Sequence, residues 1–328
     1  MAMTGSDPTL LAVVEEELAP RHPVVAVATT QSGRIAVASR GASTGSAFEI
    51  GSISKGLTAL LYADALDRGV VEETSTLGEL LPLDDAPAAS VSLGALATHR
   101  SGLPTLPTAA QPLRRTLRLW TAGTNPYGET LDELLAQVRT VSVGRPRPRY
   151  SNLGFQLLGH AVAAASGTSY SQLLHDRVAD PLGLASVHVP AAPSDLWATD
   201  VVGQSARGHA REAWTGGGLG PAGGVRASIG DMAVLARALL DGTATGTSAL
   251  DPVAAFAGSR VQIGAAWLVM EHEGRSITWH NGATGGFTSW LGLDRAAGTG
   301  VVVLSGTGRS VDRAGFRLLS RLTAGTLG

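Results

Sequence analysis

The chain of 328 residues contains no cysteine, which excludes disulfide bonds, thiolate metal sites and a cysteine nucleophile without identifying a cellular compartment. Charged residues are also few, at 16% of the chain, and the net charge is -2. That balance gives no electrostatic reason to expect nucleic acid or an anionic membrane as a partner. No apolar run approaches the length of a membrane span. The 44% of hydrophobic residues predicts a compact globular protein with a substantial core.

The N-terminal segment lacks the basic start and the uninterrupted apolar stretch of a secretory signal. It predicts a helix instead, with Asp7 as N-cap, Pro8 at the first helical position and Pro20 as the stop. As written, the chain is therefore expected to be cytoplasmic. If it is a trimmed mature form, it is expected to be secreted or periplasmic, and the sequence does not separate the two.

Lysine is the second scarce residue type. Of the 25 Lys and Arg residues, only Lys55 is a lysine, and it stands three residues after Ser52. Arginine keeps its proton near neutral pH, whereas a buried lysine can lose its proton and act as a base. One lysine retained at this spacing from a serine indicates a position that needs a removable proton. Chance also explains an isolated Ser-x-x-Lys, so the motif requires further support.

Strand patterns occur at both ends of the chain, and helical patterns occur in the middle. Val24–Thr30 and Arg34–Arg40 predict a β-hairpin, and a helix is predicted from Ser52 to the stop at Gly69. The last third predicts strands and a closing helix, namely Val261–Met270, Arg275–His280, Gly286–Leu293, Thr299–Leu304 and the helix Val311–Thr323.

This order of elements predicts an α+β fold with three α/β/α layers. One antiparallel sheet is built from both chain ends and flanked by helices, and a mostly helical lobe is inserted between them. We expect residues 1–69 and 215–328 to form the sheet domain and residues 70–214 to form the helical lobe. The active site is expected at their junction.

Three further segments carry candidate site residues. Tyr150-Ser151-Asn152 precedes a predicted helix, Leu153–Ala165. His280-Asn281-Gly282-Ala283 follows a predicted strand, and Thr98-His99-Arg100-Ser101-Gly102-Leu103-Pro104 follows a short apolar run. Each segment has a plain structural explanation when it is taken alone. The first is then a loop with an N-cap, and the other two are turns.

Taken in order, the motifs Ser-x-x-Lys at 52–55, His-x-Ser-Gly-Leu-Pro at 99–104, Tyr-Ser-Asn-Leu-Gly at 150–154 and His-x-Gly at 280–282 resemble the class C β-lactamase-like family. This family includes D-Ala-D-Ala carboxypeptidases, D-aminopeptidases, family VIII carboxylesterases and some acyltransferases. The resemblance runs from Phe48 to about Leu304, and framework phrases such as Asp180–Leu184 extend it. It implies a β-lactamase/transpeptidase-like fold and a serine hydrolase.

The resemblance also implies roles for individual residues. Ser52 is the expected nucleophile, Lys55 the expected base, and Tyr150 a proton relay whose pKa is lowered by Lys55. The serine lies at a helix start, where developing negative charge is favoured, and the lysine at i+3 lies on the same helix face. Asn152 is expected to hydrogen-bond Lys55 and the substrate's acyl amide. The implied oxyanion hole is the pair of backbone N–H groups of Ser52 and Ala283.

The third motif bears on the substrate. Many β-lactamases carry Lys-Thr-Gly there, whereas His280 in this chain is similar to the carboxypeptidase branch and to several esterases. We expect His280 and Gly282 to take part in substrate binding. A neutral histidine binds a carboxylate less tightly than lysine does, so efficient β-lactam turnover is not favoured. The arginines at 145, 147 and 149 would attract an anionic substrate, although a solvated loop with outward arginines is the favoured interpretation.

The leading hypothesis is a serine hydrolase that cleaves small esters or amides, including D-amino-acid peptides or β-lactams, through a Ser52 acyl-enzyme. Its implied partner is a small-molecule acyl substrate, with no cofactor, no metal, no nucleic acid and no membrane span, and the oligomeric state stays open. Two alternatives also stay open. One is an acyltransferase that gives the acyl group to an acceptor other than water, and the other is a non-catalytic penicillin-binding module.

Other motifs compete with this interpretation. Gly41–Gly45 matches the Gly-x-Ser-x-Gly nucleophile elbow, but a predicted short strand separates it from the next helix, so Ser43 is expected in a loop. Gly218–Gly223 matches Gly-x-Gly-x-x-Gly, but no apolar strand precedes it and Pro221 interrupts it, which argues against a dinucleotide site. His99 is expected to shape its loop rather than to transfer a proton.

Overall fold

The computed structural model describes residues 5–106, 111–258 and 260–327. The strands within these residues are β1 Val25–Gln31, β2 Arg34–Arg40, β3 Ala47–Glu49, β4 Arg226–Ser228, β5 Ala254–Ala257, β6 Val261–Ile263, β7 Leu268–His272, β8 Arg275–Ala283, β9 Thr288–Asp294 and β10 Thr299–Ser305. In these ranges, eight of them form one antiparallel sheet in the order β2-β1-β10-β9-β8-β7-β6-β5. The pairing of β1 with β10 therefore joins the start of the chain to its end. Strands β3 and β4 pair separately.

The helices of the same ranges are α1 Pro8–Glu17, α2 Ile53–Asp67, α3 Leu77–Leu80, α4 Leu93–Ala97, α5 Pro112–Ala122, α6 Leu131–Val138, α7 Asn152–Ala165, α8 Tyr170–Leu174, α9 Asp180–Leu182, α10 Ile229–Asp241 and α11 Asp312–Thr323. The π-helical turn Gly220–Gly224 packs against both α2 and α7, and a second π-helical segment, His175–Ala179, connects α8 to α9. No helix in the described part of the chain combines the length and apolarity that crossing a membrane would need.

The large sheet is buried on both faces at β1, where four consecutive residues, Val25 to Ala28, are apolar. Val25 and Val27 of β1 face a cluster that includes α1 and α11. Ala26 and Ala28 face the opposite cluster, which includes α2 and α10. All four side chains are at most 1% exposed. The predicted three α/β/α layers are therefore confirmed.

Helix α7 comes from the middle of the chain and packs against α2, one of the helices that cover the large sheet. Its side chains from Leu153 to Ala163 are all buried, and it packs against α2, α4 and the π-helical turn. The described residues between 70 and 214 are helix and loop apart from isolated bridges, as predicted. The boundaries of the sheet domain, 1–69 with 215–328, and of the lobe, 70–214, stay a prediction.

The strand predictions need two corrections near the site. The predicted single strand Val261–Met270 is wrong, because it is split into β6 and β7. At the break, Ala266 has φ 61° and donates its amide to the carbonyl of Ala97, so the chain leaves the ladder to contact the end of α4. The predicted strand end at His280 is also wrong, because β8 continues to Ala283 in register with β9. The His-x-Gly motif thus lies in a strand rather than in a loop.

Candidate active site

A sharp turn places Ser52 at the start of a buried helix. Strand β3 ends at Glu49, and Gly51 takes φ +53°, a conformation that glycine adopts without strain. The chain then enters α2 at Ile53, with Ser52 as its N-cap residue. The side chain of Ser52 makes no capping bond, so its hydroxyl is available to other groups.

Lys55 lies one turn further along α2 and is fully buried, with 0% of its surface exposed. Its Nζ atom lies 3.0 Å from Ser52 Oγ and donates to the carbonyl oxygen of Ala222 at 2.5 Å. Burial holds the pKa of this amine well below its usual value, because a charged ammonium is poorly solvated there. The amine can therefore exist unprotonated at a pH where an exposed lysine would be charged.

Tyr150 reaches the same serine from the entrance of α7. Its hydroxyl donates to Ser52 Oγ at 2.7 Å, and Lys55 Nζ lies 4.9 Å from the centre of its ring. The following residue, Ser151, is the N-cap of α7 and accepts from the amide of Gly154. The helix therefore begins at Asn152, one residue before the predicted start at Leu153, and Tyr150 directly precedes its N-cap.

The pKa of Tyr150 differs from the expectation. Burial is the largest cause, and it raises the pKa of the phenol above its usual value, against the lowering effect of the hydrogen bond to Ser52. The prediction that Lys55 lowers this pKa is therefore wrong. Although 36% of the residue's surface is exposed, its hydroxyl lies at the inner end, against the serine. The phenol is neutral at neutral pH and can act as a proton donor.

The backbone amides of Ser52 and Ala283 lie near each other at the C-terminal end of β8. Thr284 donates its amide to the carbonyl of Phe287 at 3.0 Å, and hydrogen-bonded positions alternate along an antiparallel pair. The amide of Ala283 therefore points away from β9. A Cβ atom built on Gly51 would lie 2.8 Å from that amide nitrogen, which shows how closely the strand approaches the turn.

Gly282 allows this close approach. A Cβ atom at this position would overlap Ile50 O and Ser289 Oγ and would lie 2.9 Å from the amide nitrogen of Ser52. The hydroxyl of Ser289 donates to Ile50 O at 2.7 Å, which ties β9 to the turn. The backbone of Gly282 therefore borders the serine, whereas a side chain there would force the two segments apart.

Asn152 has a different partner from the expected one. Its Nδ2 atom donates to the hydroxyl of Tyr127 at 2.9 Å, and the predicted hydrogen bond to Lys55 is not among those of the described residues. The ring of Tyr127 packs edge-on against Trp214, with 4.9 Å between centroids. Burial raises the pKa of Tyr127 to about 12, so this phenol is neutral as well. Neither aromatic residue carries a motif that would have identified it from the sequence.

His280 is neutral in this environment. It is 3% exposed, and its Nδ1 atom lies 2.6 Å from the carbonyl of Asn281. Because a carbonyl only accepts, Nδ1 carries the proton and Nε2 keeps its lone pair. Burial, and then the nearby charge of Lys55, lower the pKa of His280 to about 4. The imidazole therefore gives the site no positive charge at neutral pH.

The competing motifs take structural positions. Ser43 lies in a loop, where its hydroxyl pairs with that of Ser46. The arginines at 145, 147 and 149 are exposed on a loop, in line with the favoured interpretation. The glycine-rich Gly218–Gly223 segment forms much of the π-helical turn, and it gives Lys55 the carbonyl of Ala222. Sequence reasoning missed this partner because any residue type supplies a backbone carbonyl.

The chain is similar to known proteins of one family. The family model described as Beta-lactamase matches residues 10–324. The D-alanyl-D-alanine-carboxypeptidase/endopeptidase AmpH of Escherichia coli K12 is 29% identical over 155 residues, which cover 45% of this chain and 38% of that protein. Penicillin-binding protein 4 of Amycolatopsis lactamdurans is 26% identical, over 87% of this chain and 78% of that protein.

A crystal structure of a class C β-lactamase from Rhodobacter sphaeroides superposes with a TM-score of 0.77 at 22% identity, over 98% of this chain and all of the other. This likeness confirms the predicted fold. The chain spans half or less of the length of the first curated relatives, 38% of the carboxypeptidase and 50% of a β-lactamase-like protein of Arthroderma benhamiae.

Proposed function

Because the chain belongs to the β-lactamase family of serine hydrolases, we propose that it cleaves small neutral esters or amides through an acyl-enzyme on Ser52. The observation that carries the proposal is the convergence of two groups on one hydroxyl. Lys55 Nζ lies 3.0 Å and the hydroxyl of Tyr150 lies 2.7 Å from Ser52 Oγ. A serine is a weak nucleophile unless a neighbouring base takes its proton, and this arrangement supplies such a base.

In the proposed acylation, Lys55 acts as the general base. Its unprotonated amine takes the proton of Ser52 while Oγ forms a bond to the substrate's carbonyl carbon. The lowered pKa of Lys55 supports this role, because it keeps the amine free to accept a proton. The bond to the carbonyl of Ala222 holds the amine in place beside the hydroxyl.

Tyr150 is the proposed acid for the leaving group. Its neutral phenol gives a proton to the departing oxygen or nitrogen as the acyl bond breaks, and the protonated Lys55 replaces that proton. Water then attacks the ester of Ser52, and the same groups move its proton to restore the free serine. General acid–base catalysis of this kind contributes about 10²- to 10⁴-fold to a rate.

The proposed oxyanion hole consists of the amides of Ser52 and Ala283. The first amides of a helix have no acceptor within the helix, so the amide of Ser52 is free for a ligand. The amide of Ala283 points away from β9, and Gly282 lets it approach the serine. Each such donor contributes about 10²- to 10³-fold to kcat.

The charges of the site support neutral substrates. Lys55 is fully buried and bonded to Ala222, and His280 is neutral, so neither offers a cation to a substrate carboxylate. We therefore propose that small esters and amides are the preferred substrates and that β-lactams react less efficiently. The similarity to a D-alanyl-D-alanine-carboxypeptidase and to a penicillin-binding protein supports testing D-amino-acid peptides as well.

Intact-mass spectrometry tests the proposal directly. The protein is incubated with a p-nitrophenyl ester, a fluorescent penicillin or a D-Ala-D-Ala peptide, and covalent adducts are measured. We expect an adduct with at least the ester, its loss in Ser52→Ala and its retention in Ser43→Ala, the control on an exposed loop. An active Ser52→Ala variant would refute the site. Product analysis with an added alcohol then separates hydrolysis from acyl transfer, because a new acylated product appears only in the second case.

A further inference from the structure

His99 holds the backbone on both sides of Tyr150. It follows α4 with φ +55°, and only 2% of its surface is exposed. Its carbonyl accepts from the amide of Arg149 at 2.9 Å, and its Nδ1 atom accepts from the amide of Ser151 at 3.2 Å. The residues immediately before and after the tyrosine are therefore both bonded to this one histidine.

The ring of His99 also supports the ring of Tyr150. Their centroids are 4.6 Å apart with an interplanar angle of 40°. On another side, the imidazole lies 4.7 Å from the ring of Phe155, which is fully buried in α7. The tyrosine is bonded to Ser52 only through its hydroxyl, and the histidine ring packs against the tyrosine ring behind that bond.

The protonation state of His99 rules out a part in proton transfer while the bond to Ser151 stands. An amide N–H donates to Nδ1, so Nδ1 has no proton and Nε2 carries it. Nε2 is buried and has no hydrogen-bond partner within the described residues. Burial and the neighbouring Lys55 and His280 also keep the pKa of His99 well below its usual value. An apolar ring would avoid an unpartnered donor, so the acceptor at Nδ1 is the feature that favours histidine here.

We propose that His99 is a positioning residue for the acid–base step, which fixes Tyr150 so that its hydroxyl stays within hydrogen-bond distance of Ser52 Oγ. It acts in two ways: Nδ1 fixes the peptide group of Ser151, and the imidazole supports the tyrosine ring. The inference rests on the proposed acyl-enzyme mechanism, because it assigns a role to a residue that acts only through Tyr150. It contacts neither substrate nor reacting atoms.

Three variants separate the two supports. His99→Phe keeps a ring but removes the acceptor, His99→Asn keeps an acceptor near Nδ1 but removes the ring, and His99→Ala removes both. We expect the rate of Ser52 acylation by a p-nitrophenyl ester to fall about 10-fold in the first two and about 100-fold in the third, since small misplacements of reacting groups have effects of this size. KM should change little, because only 2% of the histidine's surface is exposed to a substrate.

A double-mutant cycle with Tyr150→Phe distinguishes positioning from general structural support. If His99 acts through the tyrosine hydroxyl, each His99 substitution should slow acylation by less than about threefold once that hydroxyl is gone. If the losses multiply instead, so that each His99 variant has the same effect in both backgrounds, the inference is wrong. Single-turnover mass spectrometry measures the rates, and thermal unfolding confirms that each variant folds.

His160→Asn is the matched control. This histidine is also buried and lies in α7, but its ring faces Tyr170, at 6.1 Å between centroids, rather than Tyr150. Its substitution should have the same effect in both backgrounds. If His99→Ala does not fold, the Phe and Asn variants complete the cycle. A wild-type protein without a Ser52 adduct would overturn the proposed function first, whereas an acylated wild type with multiplicative losses would overturn the inference alone.

Discussion

Lys55 Nζ and the carbonyl oxygen of Ala222 lie 2.5 Å apart, although the two residues are separated by 167 positions in the chain. Because a carbonyl only accepts, this bond uses one N–H of the lysine and fixes the direction of the amine. The same nitrogen lies 3.0 Å from Ser52 Oγ. The π-helical turn that carries Ala222 therefore orients the proposed base toward the proposed nucleophile.

Lys55→Arg should strongly slow acylation although it replaces one basic residue with another. A guanidinium does not lose its proton near neutral pH, so it cannot take the proton of Ser52. We expect the single-turnover rate with a p-nitrophenyl ester to fall by about 10²- to 10⁴-fold, the usual contribution of a general base. Near-native activity in this variant would refute the lysine-base mechanism. Arg68→Lys, on the exposed end of α2, is the control that should keep its activity.

Lys55→Met should change the pH dependence of stability. The unfolded lysine has a pKa of 10.5, and the folded lysine has a much lower one, so between these two pKa values the unfolded chain binds a proton that the folded chain does not. Lys55 therefore destabilises the fold at neutral pH, and this effect disappears as the pH rises to the unfolded pKa. Relative to wild type, the methionine variant should be most stable near neutral pH and should lose that advantage by about pH 10.5.

Thermal unfolding of both proteins from pH 6 to 11 measures the difference in stability, in which other titrating groups cancel. A pH-independent difference would show that Lys55 is protonated in the folded state, and it would contradict the burial argument. Activity should be lost in the same variant, because a thioether accepts no proton from Ser52. The stability measurement thus reports the free-energy cost of burying the amine, and the activity measurement reports its proposed role as the base.

The core of the candidate site could be predicted because its chemistry depends on side chains. Ser52, Lys55 and Tyr150 carry groups that few residue types can replace, and the structure brings them together. The partner of Asn152 could not be predicted, because an amide bonds whichever polar group lies nearest, and Tyr127 comes from a loop without a motif. The direction of the pKa shift of Tyr150 depends on burial, which spacing in a sequence does not reveal.

The fold likewise contains elements that local sequence patterns predict and elements that they do not. The hairpin and the helix after Ser52 follow from local periodicity, and both are confirmed. The break between β6 and β7 depends on a contact between Ala266 and Ala97, which are distant in sequence. The extension of β8 to Ala283 depends on pairing with β9. Tertiary contacts therefore decided the elements that sequence patterns described wrongly.

His280→Lys should shift the preference toward substrates that carry a carboxylate. The wild-type imidazole is neutral, with a pKa of about 4, whereas a lysine would offer an ammonium for a charge-assisted hydrogen bond. We expect the acylation rate with a fluorescent penicillin, relative to that with a neutral ester, to rise about 10-fold, which corresponds to about 1.4 kcal/mol. His280→Gln, which adds no charge, is the control. If His280→Lys and His280→Gln changed the ratio of the penicillin rate to the ester rate equally, the electrostatic explanation would be refuted.

Gly282→Ala should disable the proposed oxyanion hole while leaving the acid–base groups in place. The added Cβ would overlap Ile50 O and lie 2.9 Å from the amide nitrogen of Ser52, so β8 must move away from the serine. We expect kcat to fall about 10²- to 10³-fold, as for the loss of one oxyanion donor. Steady-state kinetics with a p-nitrophenyl ester measures the effect, and thermal unfolding checks that the variant folds.

Gly230→Ala is the matched control for this substitution, because it adds the same methyl group where there is room for it. A Cβ atom at Gly230 in α10 would meet its nearest neighbours, Ser228 Oγ and Thr44 O, at 3.7 Å, an ordinary contact distance. Alanine also favours the helix over glycine by about 1 kcal/mol, so this variant should be at least as stable as wild type and fully active. If Gly282→Ala kept a native kcat, the close approach of β8 to Ser52 would not be needed for turnover, and the amide of Ala283 would have no place in the mechanism.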